Sequence, residues 1–197
     1  MSLDVFLALL TFAFVSSVTP GPNNMMLLAS GVNFGFVRTI PHMLGIAIGF
    51  VVLLLAVGFG LGALLAAFPA VETALKWVSA AYLLWLAWKI GNARGMGEGR
   101  AGAVPMTFVQ AAAFQWVNPK AWAMALVAMG AYTSAEHPIS SVLTVGFAFG
   151  LVNFPSVSVW AGFGVALRGF LSNPARLKGF NMLMGVLLAL TVVPILL

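Results

Sequence analysis

Six long apolar segments, separated by short connectors that carry most of the charges, constrain this chain more than any other feature. Of its 197 residues, 62% are hydrophobic and only 7% are charged. A soluble domain of this size could not cover its surface with so few charges, whereas about 20 consecutive apolar residues cross a bilayer as a helix. The pattern predicts an all-α integral membrane protein with six transmembrane helices, folded as a single domain over residues 1–197.

Two of these segments are interrupted by proline. The segments cover about 3–30, 40–67, 71–90, 105–132, 139–167 and 179–196. The first is interrupted at Thr19-Pro20-Gly21-Pro22 and the fourth at Asn118-Pro119. The first segment has no basic residues before it and runs on past Ser17, which favours a retained helix over a cleaved signal peptide. The glycine-rich connector at 91–104 is expected to be the one loop long enough to be flexible.

Lysine and arginine are distributed unequally between the two sides of the predicted bundle. Alternate connectors place seven basic residues on one side: Arg38, Lys89, Arg94, Arg100, Arg168, Arg176 and Lys178. The other side holds one basic residue and three acids: Lys76, Asp4, Glu72 and Glu136. Because basic loops stay in the cytoplasm, this asymmetry predicts that both termini lie outside.

The two halves of the chain resemble each other at matching positions. The matches are Gly45 with Gly146, Gly49 with Gly150, and Leu75-Lys76 with Leu177-Lys178. The pairs Gly45/Gly49 and Gly146/Gly150 are expected to let neighbouring helices pack closely. An odd number of spans in each half inverts the halves relative to one another, as in many transporters. We therefore expect two inverted three-helix repeats, about 1–90 and 105–197, with helices 1 and 4 broken near the middle of the membrane.

The two interruptions create helix ends at the depth of the bilayer core. The prolines at 20 and 22 remove amide donors, and Gly21 supplies conformational freedom. Asn118 followed by Pro119 is typical of a helix N-terminus. Each restart exposes free amides suited to a carboxylate, and each preceding half-helix exposes carbonyls suited to an ammonium. A zwitterion fits this pattern, although two proline kinks that only shape the bundle would have the same sequence.

Lys120 is the only charged residue predicted near the middle of a span. A cation at that depth costs about 2.5–3.5 kcal/mol on insertion scales, so it usually has a function. Lys120 could pair with the carboxylate of a substrate, or it could carry a coupled proton. A snorkelling side chain or a structural bond to a carbonyl would require neither role.

Other polar and aromatic residues in the spans are weaker candidates. Asn153 could contact substrate or serve helix packing. His42 is expected at the cytoplasmic mouth of the second segment, as an interfacial residue or a proton relay. Trp116 and Trp122 flank the second interruption, as membrane-interface anchors or as cavity-lining residues. The predicted substrate-binding set is Thr19, Pro20, Gly21, Pro22, Asn23, Asn24, Gln115, Asn118, Pro119, Lys120 and Asn153. The candidates for proton coupling are Lys120 and His42.

Composition and spacing argue against several function classes. The chain has no cysteine, so disulfides and thiolate metal sites are excluded. Its formal charge of +5 is spread over loops without an aromatic-lined basic stripe, which argues against nucleic-acid binding. An enzyme would need convergent acid, base or metal-ligating groups at depth, and none is visible. We expect no catalytic residues, metal or cofactor. A non-transporting scaffold or accessory subunit, or an exporter of another solute such as a metal ion, stays open as an alternative.

Four stretches of the sequence are characteristic when taken together. They are Thr19-Pro20-Gly21-Pro22-Asn23-Asn24, Gly45-Ile46-Ala47-Ile48-Gly49, the run from Ala81 to Lys89, and Asn118-Pro119-Lys120. In this order and spacing they resemble the LysE/RhtB family of amino-acid exporters, and the resemblance covers almost the whole chain. It implies a bacterial inner-membrane protein that exports amino acids or their derivatives by antiport with protons.

Details of the resemblance bear on the substrate. The stretches 85–90 and 115–118 are similar to the branch of the family that exports cysteine and O-acetylserine. Many members carry an acidic residue directly after the glycines of the second span, where this chain has Phe50. A neutral substrate is therefore expected rather than lysine or arginine. A homodimer through glycine-lined faces stays open.

Overall fold

The computed structural model describes residues 1–93 and 104–193, apart from the side chain of Glu72. In this part of the chain the regular structure is entirely helical. The helices are α1 (Leu3–Val18), α2 (Pro22–Phe34), α3 (Phe36–Ala56), α4 (Gly62–Ala67), α5 (Pro69–Gly91), α6 (Phe108–Phe114), α7 (Pro119–Tyr132), α8 (Pro138–Leu167) and α9 (Pro174–Leu190). A π-helical turn at Val57–Leu61 joins α3 to α4, and a short 3₁₀ helix at Gln115–Val117 precedes α7. Most of the connector predicted to be flexible lies outside the described residues.

The predicted interruption of the first segment is confirmed. Helix α1 ends at Val18, α2 begins with Pro22 in its first turn, and the two helices meet at a bend of 56°. Gly21 is fully extended between them, which places the proline ring at a helix start where its missing amide leaves no bond unmade.

The fourth segment is also interrupted where the sequence predicts. Thr107 and Gln110 form a reciprocal capping box at the start of α6. The helix then stops, and Asn118 begins α7 by accepting a hydrogen bond from the Lys120 amide at 3.2 Å. The helical part begins at Phe108 rather than near Pro105, because the capping threonine fixes the start.

Within residues 1–93 and 104–193, two helical units are each long and apolar enough to cross a membrane by themselves: the α3–α4 unit (Phe36–Ala67) and α8. The bent pair α1 and α2 would make a third span. The sixth segment forms a helix five residues earlier than expected, because Asn173 caps its first turn and Pro174 occupies the first position. The prediction of a start near Gly179 is therefore wrong.

Glycines set the closest helix crossings. A methyl group on Gly31 of α2 would lie 2.2 Å from the Ala161 carbonyl oxygen of α8, and one on Gly185 of α9 would lie 2.6 Å from the Ala87 carbonyl oxygen of α5. Gly45 meets the backbone of α6 in the same way, as predicted.

The second predicted glycine pair behaves differently. A methyl group on Gly146 would meet only the Leu55 side chain, and one on Gly150 would make ordinary contact with Val51. These two glycines line an open groove between α3 and α8 instead of a close backbone crossing. The expectation of close packing is thus wrong for this pair, because large side chains of α3 occupy the space.

Five described basic residues gather at one end of the bundle, namely Arg38, Lys89, Arg168, Arg176 and Lys178, while Arg94 and Arg100 lie outside the described residues. Asn181 of α9 donates to the Ala93 carbonyl at 2.9 Å and accepts from Asn33 at 3.2 Å, which joins the ends of α2 and α5 to the start of α9. The Arg168 guanidinium, at the end of α8, lies against Gly35 in the turn between α2 and α3. We call this the basic end. It is the side that the charge asymmetry predicts to be cytoplasmic.

Candidate functional site

The two helix interruptions lie in direct contact. The Lys120 ammonium donates to the Thr19 carbonyl oxygen at 2.6 Å and to the Thr19 hydroxyl at 2.9 Å. It also lies 3.4 Å from the Pro20 carbonyl oxygen. Two points 101 residues apart in sequence are therefore joined through the charge that the sequence singled out. The structural bond to a carbonyl, one of the alternatives for Lys120, is present in this conformation.

The carbonyls of Ser16 to Thr19, at the end of α1, accept hydrogen bonds from side chains. Asn24 donates to the Ser17 and Thr19 carbonyls at 2.9 and 2.7 Å, and the indole of Trp160 donates to the Val18 carbonyl at 3.0 Å. Backbone groups freed inside a membrane must find such partners, because unpaired ones cost several kcal/mol. The sequence predicted that the carbonyl oxygens at the end of α1 would bind an ammonium group. In this conformation they bind the ammonium of Lys120.

A reciprocal amide pair joins the two half-helices beside this contact. Asn23 donates to Gln115 at 2.9 Å, and Gln115 donates back at 3.2 Å. Gln115 is fully buried and also donates to the Ala111 carbonyl at 2.8 Å. The pair fixes the start of α2 against the end of α6, so neither can move without breaking two hydrogen bonds.

A small cavity lies between the interruptions, with a volume of about 30 Å³. We call it the break cavity. Seven predicted residues line it: Gly21, Asn23, Asn24, Gln115, Asn118, Lys120 and Asn153. By the measure in which a single water takes about 10–15 Å³, this volume holds about two waters, so an amino acid does not fit. The break cavity is closed to such a solute in this conformation.

Four predicted residues do not line the break cavity. Thr19 and Pro20 are exposed and reach it only through their contacts with Lys120. Pro22 and Pro119 start helices α2 and α7 and have no place in the lining. The prolines were included in the predicted set because they break the helices. In the structure they determine where α2 and α7 begin without contacting the cavity.

Sequence reasoning missed several lining residues. Ser16, Ser17, Phe50 and Met124 also line the break cavity. The two serines directly before the first interruption carried a signal, since paired hydroxyls near a break supply polar groups at depth. Met124 carried none, because an apolar residue one turn beyond the restart looks like any packing residue.

The break cavity has one charge and one free acceptor. Lys120 is the only ionisable side chain in its lining within the described part of the chain. Phe50, 2% exposed, occupies the position where a carboxylate was noted as missing. Asn153 donates to the Ser17 hydroxyl at 3.1 Å, but its buried carbonyl oxygen accepts no bond from any described residue. Such an atom is available to a donor on a bound solute.

His42 lies toward the expected end of the second segment, but it is buried. The prediction of an interfacial residue is wrong, because its side chain is only 2% exposed, buried among helices. It lines a second and larger cavity of about 280 Å³ near the basic end. The sequence could not show this, since the second turn of α3 is covered by helices far away in the chain.

The two tryptophans beside the second interruption do not line the break cavity. Trp122 donates to the Trp116 carbonyl at 2.9 Å, and the two rings meet edge to face at 6.4 Å between centroids. Trp116 is 37% exposed. This pair covers the outer side of the restart instead of contacting a solute.

Two broken helices that meet around a polar cavity are typical of secondary membrane transporters. A family model described as LysE type translocator matches residues 14–196, and the chain belongs to this family. It is a membrane translocator and not an enzyme.

Two relatives show the extent of the similarity. The chain is 32% identical over 153 residues to the cysteine/O-acetylserine efflux protein of Salmonella choleraesuis (strain SC-B67), covering 77% of each protein. It is 31% identical over 153 residues to the cysteine/O-acetylserine efflux protein of Escherichia coli (strain K12), again covering 77% of each. No solved structure matches the chain.

Proposed function

We propose that this protein exports neutral amino acids or small derivatives from the bacterial cytoplasm by antiport with protons. Cysteine and O-acetylserine are the first candidates, because the similar efflux proteins are named for them. The single observation that carries the proposal is the contact of Lys120 with the Thr19 carbonyl across the two helix interruptions. The absence of a carboxylate from the described lining of the break cavity supports a neutral solute.

The proposed architecture is six spans in two inverted repeats, with the basic end in the cytoplasm and both termini outside. The pattern of helix packing supports it. Helix α3 packs on α6 as α8 packs on α1, while α5 pairs with α9 across the two halves. An approximate twofold axis in the membrane plane would produce these matched contacts.

The proposed mechanism is competition for the carbonyl end of α1. The ammonium of a substrate and the ammonium of Lys120 require the same Thr19 oxygen. Substrate binding from the cytoplasm would displace Lys120, which then releases its proton to that side. After the substrate leaves outside, Lys120 would take up a proton there and return to the carbonyl. One proton enters for each solute exported, and the uncapped start of α2 is available to the substrate carboxylate.

The test uses purified protein in liposomes with an imposed pH gradient and radiolabelled cysteine kept reduced. We expect cysteine to move against its gradient in the direction opposite to the protons, with competition by O-acetylserine and none by lysine. Absence of flux in liposomes holding only this protein would refute the proposal and favour an accessory subunit.

Two variants of Lys120 test the competition. Lys120→Met should retain cysteine counterflow but lose uphill movement driven by the pH gradient, because nothing competes and nothing carries the proton. Lys120→Arg should block both, since guanidinium keeps its proton and its hold on the carbonyls. Uphill export by either variant at the wild-type rate would remove Lys120 from the coupling step.

A further inference from the structure

The larger cavity at the basic end has the size and the polar groups of a small-molecule site. Its volume is about 280 Å³, against about 30 Å³ for the break cavity. We call it the vestibule and define it by six of its lining residues: Asn33, His42, Tyr82, Trp85, Lys89 and Gln110. Lys89 and Gln110 are exposed, so the vestibule reaches the surface of the bundle.

Two side chains at the vestibule are buried with polar atoms that lack partners. His42 is 2% exposed, and neither ring nitrogen makes a hydrogen bond with a described residue. Asn33 is 7% exposed; its amide donates to Ala29 and Asn181, but its oxygen accepts nothing from residues 1–93 or 104–193. Buried polar groups are nearly always paired, because leaving them unpaired is costly. Because these atoms have almost no contact with solvent in this conformation, a rotation of either side chain must turn them toward the cavity before a polar solute or water can complete them.

The vestibule and the break cavity lie along the same two half-helices. On α2, Asn24 lines the break cavity, while Asn33 lines the vestibule about two turns further toward the basic end. On the fourth segment, Gln115 lines the break cavity and Gln110 lines the vestibule. Between these levels the apolar side chains of Met26 and Phe114 pack in one cluster. The two cavities therefore lie along the same two segments, with Met26, which also lines the vestibule, and Phe114 placed in sequence between their polar residues.

The groups at the vestibule suit a small zwitterion. A neutral imidazole offers one donor and one acceptor, and the Asn33 oxygen offers a second acceptor, so both acceptors can receive an ammonium. The Lys89 ammonium, held 5.1 Å from the centre of the Trp85 ring, places a positive charge at the rim for a carboxylate. The apolar walls fit a short, uncharged side chain.

We propose that the vestibule is the cytoplasmic loading site, where a neutral amino acid or derivative binds His42 and Asn33 before it reaches the helix interruptions. This rests on the proposed function, because it takes the same solute and the same direction of movement. It adds a second binding site and assigns the conformation described here to the stage at which the vestibule is open and the break cavity is closed.

The first test is His42→Phe in the full-length protein. Phenylalanine has a similar shape, and His42 has no described hydrogen bond to lose, so a merely structural histidine would tolerate the change. We expect the dissociation constant for radiolabelled cysteine, measured on purified protein, to rise about tenfold, as for loss of one hydrogen bond. His137→Phe, at an exposed position on the opposite end, is the matched control and should bind as the wild type does.

The second test locates the bound solute. Because the chain has no cysteine, Ala29→Cys places a single thiol in the vestibule lining. Saturating O-acetyl-L-serine should slow its reaction with a small thiol reagent several-fold, whereas Ala121→Cys, buried in the lining of the break cavity, should react slowly with or without the solute.

The outcomes separate the two proposals. If the wild-type protein transports cysteine but His42→Phe binds it as tightly as the wild type does, the loading-site proposal is wrong and the exporter proposal stands. Wild-type flux with labelling of position 29 unaffected by O-acetylserine leads to the same conclusion. Absence of wild-type flux overturns the exporter, and the loading site with it.

Discussion

Gly21→Ala tests the contact between the interruptions without touching Lys120 itself. A methyl group at this position would lie 2.7 Å from Cδ and 3.2 Å from Nζ of Lys120. Carbon atoms in ordinary contact are about 3.5–4.0 Å apart, so the lysine side chain must move by about 1 Å. The Gly21 backbone is extended, a conformation that alanine adopts without strain.

The size of the effect follows from the hydrogen bond that is lost. A shift of about 1 Å would lengthen the 2.6 Å contact from Nζ to the Thr19 oxygen to roughly 3.6 Å, beyond a hydrogen bond. A bond to a charged group is worth about 1.5–3 kcal/mol, which is about 10- to 100-fold in occupancy of the carbonyl by Lys120. We expect uphill export driven by the pH gradient to fall at least tenfold while counterflow persists.

The assay is the liposome flux measurement with three comparisons. Gly130→Ala, where an added methyl would meet nothing within 4 Å, should export as the wild type does. Gly21→Ala should leave counterflow unchanged in a Lys120→Met background, where uphill export is already lost, because both changes remove the same contact. Normal uphill export by Gly21→Ala, or lower counterflow in the double variant than in Lys120→Met, would refute the reasoning.

Two further predictions concern orientation and packing. Single cysteines at the exposed positions Ser172 and Glu136 should react with an impermeant thiol reagent from the cytoplasm and from outside respectively; the reverse pattern would overturn the proposed topology. Gly31→Ala should destabilise the protein by about 1–3 kcal/mol, seen as a lower thermal unfolding midpoint in detergent, because its methyl would overlap the Ala161 carbonyl. The control is Gly162→Ala on α8, the helix that packs against α2, where an added methyl would meet nothing within 4 Å. Equal unfolding midpoints for the two variants would contradict the packing argument.

The candidate site was predicted from sequence to the extent that local backbone chemistry specifies it. Prolines at 20, 22 and 119 and the capping Asn118 mark both interruptions. They also drew attention to Lys120, the cation directly after the second interruption. The same reasoning placed prolines in the binding set, although those that start helices do not line the break cavity.

Other parts of the site depend on contacts between distant segments. Ser17 meets Asn153, 136 residues away, and Asn23 meets Gln115, 92 residues away. His42 looked like an interfacial residue because it stands near a basic connector, yet the surrounding helices bury it. No pattern within one segment indicates which face of that helix its neighbours cover.

The sequence by itself determined where helices stop and restart, because a missing amide and an asparagine cap act within a few residues. It also determined membrane residence, through the length of the apolar segments, and the family, through the Pro-Gly-Pro-Asn and Asn-Pro-Lys motifs. Only the tertiary structure decided that Lys120 occupies the carbonyl end of α1, and that the cavity there is small while the vestibule is large. The physical reason is that cavity size and side-chain reach depend on how closely helices approach, and glycine contacts such as that of Gly31 with α8 set this distance between segments far apart in the chain.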